Sequence, residues 1–181
     1  MTSWWIGGSP CSGKSTVAGL LAAARGATLY SCDDAFERHA AGPAFAKVAA
    51  MGVAARLAQP VEVQVADVLQ LYRDEFPLIL RDLAAVPGPV LAEGAALLPE
   101  LLAAHKVPAT HAVWIVPTEP FQRRYYARRP WARALLAATP DPDASFDRWM
   151  RRDAAFARLI ATQARAAGYR VLTVDGTIPL R

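Results

Sequence analysis

Short apolar runs alternate along this chain with longer stretches of helical spacing. Apolar runs of about four to eight residues, bounded by turn residues, are typical of buried parallel strands. These runs lie at 4–7, 27–32, 86–94, 110–117 and 169–176. The helical stretches lie at 14–25, 33–40, 61–86, 121–128 and 145–167. The alternation predicts one α/β domain over 1–181, with a five-stranded parallel sheet flanked by helices.

The remaining segments complete the expected layout. The apolar positions of 61–86 share one helical face, and Pro77 is expected to bend that helix. Residues 42–60, rich in alanine with scattered glycine and proline, predict a mobile helical insert. Residues 129–144, rich in proline and aspartate, predict a loop.

Composition narrows the class of protein. With 181 residues, 54% of them apolar and 20% charged, the chain is expected to be globular. No apolar run is long enough to cross a bilayer and no signal peptide is recognisable, so we expect no membrane partner. Cys11 and Cys32 lack the spacing of a metal site, which indicates free thiols and a cytoplasmic location.

The net charge of +4 comes almost entirely from arginine, with an excess between Arg123 and Arg152. A local basic cluster suits a bound polyphosphate as well as a polynucleotide. Because no RNA- or DNA-binding signature accompanies the cluster, we expect a nucleotide rather than a nucleic acid as the partner.

The segment 7–16, GGSPCSGKST, carries the most specific motif. It matches G-x-x-x-x-G-K-[ST], the phosphate-binding loop of nucleotide-dependent enzymes, and it lies between a predicted strand and a predicted helix. Glycines allow close backbone approach, N–H groups hold phosphate oxygens, Lys14 reaches the outer phosphates and Ser15 binds Mg²⁺. The residues expected to bind ATP are Gly8, Ser9, Cys11, Ser12, Gly13, Lys14, Ser15 and Thr16.

Acidic residues end two further predicted strands, and such sheets bind ligands at the carboxyl ends of their strands. Of Asp33 and Asp34, one can accept the proton of a substrate hydroxyl and the other can cap the next helix. We expect Asp33 to be the base. Glu93 ends a Walker B pattern with Glu in place of Asp. Glu93 is expected to hold Mg²⁺ together with Ser15, or to bind a substrate hydroxyl. Gly94 is expected to let the substrate approach the backbone.

One arginine-rich segment, FQRRYYARRPW, offers groups for the transferring phosphate. Arg124 and Arg128 lie four residues apart on one helical face, beside Arg123 and Arg129. Planar guanidinium groups suit phosphate oxygens and stabilise the charge that develops during transfer. The spacing favours Arg124 and Arg128 without choosing between them.

These motifs resemble the small P-loop kinases of the nucleoside-monophosphate-kinase-like group, which includes shikimate kinase, gluconate kinase, chloramphenicol phosphotransferase and 2-phosphoglycerate-kinase-like proteins. The matching segments, in the right order over nearly the whole chain, are GGSPCSGKST, YSCDDAFE, VLAEGAALLP, VPTEPFQRRYYARR and YRVLTVDG. The resemblance implies a P-loop NTPase fold, with Asp33 at the substrate hydroxyl. It also implies a lid at about 123–144 that carries Arg128 over ATP, and a last strand near the adenine.

The resemblance further implies an acceptor-binding region at about 34–60, and it leaves the acceptor open. The candidate substrate contacts are Asp33, Asp34, Arg38, Glu93 and Gly94. Arg38 and Arg56 are present in the region, but no arginine pair there indicates a carboxylated acid. Apolar residues such as Phe36 and Phe45 indicate a partly hydrophobic molecule.

Together the residues predict a phosphotransferase that moves the γ-phosphate of ATP, with Mg²⁺, to a hydroxyl of a small metabolite or antibiotic-like molecule. We expect it to act as a monomer or homodimer. A nucleotide-sensing switch or NTPase would instead need a partner interface and a water-orienting residue, and a polynucleotide kinase would use the basic surface. The paired aspartates and the arginine-rich segment favour the small-molecule kinase.

Overall fold

The computed structural model describes residues 3–40, 45 and 51–177. The strands are β1 (Ser3–Gly8), β2 (Thr28–Ser31), β3 (Val90–Glu93), β4 (Ala112–Pro117) and β5 (Arg170–Val174). The helices are α1 (Lys14–Arg25), α2 (Cys32–Ala40), α3 (Val53–Ala58), α4 (Val61–Ala84), α5 (Pro99–Ala104), α6 (Glu119–Tyr126), α7 (Pro130–Ala137) and α8 (Pro142–Ala166). A short 3-10 turn, Ala109–His111, leads into β4.

The five strands form one parallel sheet in the order β2-β3-β1-β4-β5. The central strand, β1, pairs with β3 on one side and with β4 on the other. Glu93 stands beside Ile6 of β1 and beside Ser31 of β2, so the ends of these three strands are neighbours. The predicted class is confirmed: an α/β protein with a five-stranded parallel sheet flanked by helices.

Both faces of the sheet are covered by apolar packing. The larger core lies between the sheet, α4 and α8, and its centre is Trp114, which is fully buried and donates its indole N–H to the carbonyl of Leu97 at 3.0 Å. Burying a large apolar side chain contributes about 1.5–3 kcal/mol. A smaller cluster covers the side of α1 and contains Ile6, Ala18, Ala22, Leu91 and Ile115. A third cluster joins the segment after β1 to α3, α6, α7 and α8 and contains Cys11, Leu57, Tyr126, Ala132, Leu136, Trp149 and Met150.

The predicted loop at 129–144 is wrong, because it contains α7. Pro130 stands at the start of that helix, where its missing N–H costs nothing, and alanine and leucine, which favour helices, follow it. Only 138–141 connects α7 to α8. There Asp141 caps α8, accepting a hydrogen bond from the Ala144 N–H at 3.0 Å.

The cap of α2 also differs from the prediction. The hydroxyl of Ser31, not an aspartate, accepts the Asp34 N–H at 3.2 Å, and the helix begins at Cys32. Asp33 and Asp34 therefore lie inside the first turn, where a carboxylate is favourable because of the helix dipole. The expected capping role for Asp34 is wrong.

The segment between α2 and α4 is described only in part. Most of 41–50 lies outside the described residues, and the described remainder includes α3, so the mobile insert stays a prediction. Helix α4 continues past Pro77, and the expected bend also stays a prediction. Among the helices of the described ranges, none has both the length and the apolar character to cross a membrane.

Candidate active site

The last residue of β1 and the segment that leads to α1, residues 8–13, form a turn with unusual backbone angles. Gly8 has a φ of 144°, and a Cβ at this position would collide with the carbonyl oxygen of Ile115. Cys11 and Gly13 also have positive φ, 62° and 78°. Gly13 is the residue directly before α1, so this turn delivers the chain into the start of that helix.

Contacts from other elements hold this turn in place. The Ser9 N–H donates to the Ile115 carbonyl at 3.3 Å, and the Gln122 side-chain amide donates to the Pro10 carbonyl at 3.1 Å. Gln122 lies on α6 and is only 1% exposed. Sequence reasoning missed this residue because no local motif links it to a turn 112 positions away.

Several polar groups in the turn are buried without partners. Lys14, the first residue of α1, is 5% exposed, and it forms no ion pair within the described ranges. The hydroxyls of Ser9 and Ser12 are buried and have no hydrogen-bond partner in the described structure. Leaving a buried polar group unpaired costs about 1–3 kcal/mol, and more when the group is charged. The cluster is therefore chemically suited to an anionic ligand.

Glu93 lies beside this cluster, at the end of β3, and is 2% exposed. Burial raises the pKa of its carboxyl, while the charge of Lys14 and the hydroxyls of Ser15 and Ser31 act to lower it. Its Oε2 atom has no hydrogen-bond partner among the residues described. Glu93 and Ser15, expected to act together, are thus brought close to each other.

The residues at this point fit a magnesium ion that is held mainly by a substrate. In the described part of the chain, no group of three or more His, Cys, Asp or Glu is arranged to hold a metal. Mg²⁺ commonly takes only one or two protein oxygens, with phosphate oxygens and water completing its shell. The Ser15 hydroxyl and the unpartnered oxygen of Glu93 match that requirement.

A cavity of about 620 Å³ lies next to the turn. Pro10 of the turn and Asp33 of α2 both line it, and much of the remaining wall is apolar. The wall includes Phe36, Phe45, Val65, Val68, Leu71, Tyr72 and Phe156. Its size is that of a pocket for a small organic molecule.

The other predicted substrate contacts do not line this cavity. Asp34 is exposed, and Arg38 forms an ion pair with Asp82 at 3.2 Å. Gly94 has a φ of 157°, and a Cβ there would collide with the side chain of Cys32, so this glycine permits close packing against α2. A substrate contact at Gly94 stays a prediction.

The arginines after β4 divide into three environments. Arg124 and Arg128 are exposed, and each guanidinium lies 5.6 Å from the centre of the Tyr125 ring. Arg123 is paired with Glu119 and Asp147. Arg129 lies near the turn.

The Arg129 guanidinium lies 5.4 Å from the centre of the Tyr126 ring, and Tyr126 belongs to the same buried cluster as Cys11 of the turn. Burial raises the pKa of the Cys11 thiol, and the nearby charges of Arg129 and Lys14 lower it. The roles of Arg124 and Arg128 stay predictions.

The cavity also brings together charged residues that sequence reasoning missed. Arg152 contacts Oδ1 of Asp153 through Nε at 2.8 Å and Nη2 at 2.6 Å. On another wall, Oε1 of Glu75 lies 3.0 Å from Nδ1 of His39, whose Nε2 lies 3.1 Å from Oδ2 of Asp82. Burial raises the pKa of the Glu75 carboxyl, while the contact with His39 lowers it.

A signal for two of these residues was present in the helical pattern. Glu75 lies on the apolar face of α4, between Tyr72 and Ile79, and Asp153 follows Trp149 and Met150 by one turn of α8. A lone carboxylate on an apolar helix face indicates a buried partner or a ligand.

Comparison with known proteins assigns no family: no family model and no curated protein sequence matches this chain.

Proposed function

We propose that this protein is a phosphotransferase that moves the γ-phosphate of ATP to a hydroxyl of a small molecule. The observation that carries the proposal is a shared wall: Pro10 of the β1–α1 turn and Asp33 of α2 line the same cavity of about 620 Å³. A phosphate at the turn and a hydroxyl in the cavity would therefore be neighbours. A nucleotide switch or a simple NTPase has no need of an acceptor cavity at this place.

The phosphates of ATP would bind at the turn. The hydroxyls of Ser9 and Ser12 are buried and lack partners in the described structure, and Lys14 is buried without an ion pair there. The backbone N–H groups at the start of α1 also favour negative charge. Ser15 and Glu93 would hold Mg²⁺, which when bound offsets the negative charge of the phosphates. Gln122 would keep the turn in shape through its bond to Pro10.

The transfer itself needs a base beside the acceptor. As the acceptor oxygen forms its bond to the γ-phosphorus, the bond from that phosphorus to the bridging oxygen breaks and ADP leaves. Asp33 takes the hydroxyl proton, and Lys14 offsets charge on the phosphate oxygens. Arg129 joins Arg124 and Arg128 as a candidate to offset the charge on the phosphate, because it lies over Tyr126, which is clustered with Cys11 of the turn.

A transfer assay tests the proposal. The protein is incubated with ATP, Mg²⁺ and a panel of hydroxylated small molecules, and mass spectrometry is used to find a product that has gained one phosphoryl group. We expect ADP formation to rise with at least one acceptor and to disappear in Lys14→Ala. An ADP rate that stays the same with every acceptor, or an absence of ATP binding, would contradict a kinase.

A further inference from the structure

Two arginines from distant parts of the chain meet in the cavity. Arg56 on α3 and Arg152 on α8 line the cavity of about 620 Å³ and also an adjoining recess of about 150 Å³. Pro10 and Asp33 line only the larger space. The arginines therefore lie where the two spaces join.

The junction is defined by the residues that line both spaces. These are Met51, Arg56, Val68, Leu71 and Arg152. Carboxylates line one space or the other but not both: Asp33, Glu75 and Asp153 the cavity, Asp67 and Asp74 the recess. The residues shared by both spaces thus carry two guanidinium groups and no carboxylate, and the other three are apolar.

The charge at the junction is not balanced by its nearest carboxylate. Asp153 is bonded to Arg152, so one carboxylate faces two guanidinium groups. Arg56 is exposed, and it has no ion pair among the described residues. Both guanidinium groups line the same two spaces, so their like charges repel each other. Partial desolvation lowers the pKa of Arg56, and the charge of Arg152 lowers it further. An anion between them would relieve that repulsion.

The space between the junction and Asp33 is walled by aromatic rings. Phe36 meets Phe45 edge to face at 5.8 Å, and Tyr72 meets Phe156 at 5.9 Å. Burial raises the pKa of the Tyr72 hydroxyl, and the charges of Asp33 and Arg152 both act on it. Tyr72 lines the same cavity as Asp33, Arg56 and Arg152, so a flat apolar body against its ring would lie among these charged groups.

We propose that the cavity binds a ring-containing apolar molecule with an anionic group, carboxylate or phosphate, held by Arg56 and Arg152 while its hydroxyl faces Asp33. Guanidinium groups bind such anions through paired, charge-assisted hydrogen bonds. That this molecule is the phosphate acceptor rests on the proposed function, whereas the binding of an apolar anion does not.

The binding test uses two fluorescent probes with the same aromatic body: anilinonaphthalenesulfonate, which is anionic, and phenylnaphthylamine, which is neutral. In Arg56→Gln the dissociation constant of the anionic probe should rise at least about tenfold, because a charge-assisted contact is lost. That of the neutral probe should stay within about twofold, since the apolar walls remain. Arg158→Gln, an exposed arginine on the same helix as Arg152, is the control and should change neither.

A second variant guards against misfolding. Arg56→Lys keeps the charge but loses the planar guanidinium group. It should weaken binding of the anionic probe, but not of the neutral probe, and less than Arg56→Gln does.

A competition experiment tests the class of ligand. Phenyllactate, which has a ring, a hydroxyl and a carboxylate, should displace the anionic probe more strongly than its methyl ester does. Equal losses for both probes, or no loss for either in the folded variants, would overturn the inference.

Binding of trinitrophenyl-ATP, measured in the same proteins, separates the two proposals. If this nucleotide does not bind while the anionic probe depends on Arg56, the kinase proposal fails and the anion-binding cavity stands. If the nucleotide binds and the probe is indifferent to Arg56, the anion-binding inference fails alone.

Discussion

The two halves of the candidate site differ in how their polar groups are balanced. In the β1–α1 turn, the hydroxyls of Ser9 and Ser12 are buried and unpartnered, and Lys14 is buried without an ion pair in the described structure. In the adjoining cavity most charges already have a counter-group: Glu75 faces His39, and Asp153 is bonded to Arg152. The wall around those pairs is largely apolar.

Because of this difference in how their polar groups are balanced, the turn and the cavity are expected to select their ligands in different ways. Buried donor groups without partners in the turn favour an anionic ligand. Such a ligand recovers the free energy that burying these groups costs. Apolar walls whose charges are mostly paired select a ligand mainly by shape, and changes in those walls alter affinity by modest amounts. Arg56 is the exception, because its charge, which has no ion pair in the described ranges, is available to an anionic group. Changes in the turn should therefore remove activity with every acceptor, whereas changes in the cavity should alter which acceptor is used.

The largest effect is expected at the turn. Lys14→Ala should reduce phosphoryl transfer by about a thousandfold or more, because it removes the charge nearest the phosphates. The fold should persist, since Lys14 forms no ion pair within the described ranges. The turnover number at saturating ATP and the circular dichroism spectrum check both statements. Arg158→Ala on α8 is the control, and wild-type turnover in Lys14→Ala would remove the basis of the comparison.

The next effect lies at the boundary of the two halves. Asp33→Asn keeps the size of the side chain but cannot take a proton, so kcat should fall by about a hundredfold to ten-thousandfold. The dissociation constant of ATP should move little, because the turn is untouched. Asp34→Asn, on the next residue, is the matched control and should change kcat only a few-fold. Equal losses in both variants would mean that the helix, not the base, is affected.

The two halves also differ in how far the sequence could predict them. The turn and the strand ends at Asp33 and Glu93 are contiguous segments, and each carries its own signal. The junction brings together Arg56 of α3 and Arg152 of α8, which are 96 positions apart in the sequence (152 minus 56). No sequence motif spans such a distance, so the sequence could not predict the junction. Gln122 was missed for the same reason.

Local chemistry explains the errors in the fold. The proline and aspartate content of 129–144 predicts a loop, but Pro130 stands in the first turn of α7, where proline is favoured. The cap of α2 was assigned to an aspartate because two of them stand together, while Ser31 just before them does the capping.

A smaller effect tests whether the turn is held in place from outside. Gln122→Ala removes the donor to the Pro10 carbonyl and should lower the free energy of unfolding by about 1–3 kcal/mol. It should also weaken nucleotide binding several-fold, because the turn loses its anchor on α6. Denaturant unfolding and titration with trinitrophenyl-ATP measure the two effects, with exposed Gln70→Ala on α4 as control. Lost stability with unchanged nucleotide affinity would show that α6 supports the fold and not the turn.

The smallest effect concerns the cost of keeping Glu93 buried. Burial raises the pKa of its carboxyl, so between the unfolded and the folded pKa the folded protein binds the proton more readily. The contribution of this group to stability is therefore most favourable below that window and is lost as pH rises through the folded pKa.

Glu93→Gln removes this cost, so at neutral pH it should raise the free energy of unfolding by up to about 1 kcal/mol. The difference from the wild type should shrink as pH falls below the folded pKa of Glu93, where the wild-type side chain is also neutral. Denaturant unfolding of both proteins over a range of pH measures the difference. The same variant should lose Mg²⁺-dependent transfer, since it removes a proposed cation ligand. If Glu93→Gln is less stable than the wild type at neutral pH, the charge of Glu93 stabilises the fold. Glu93 would then not be among the buried groups near the turn that lower stability.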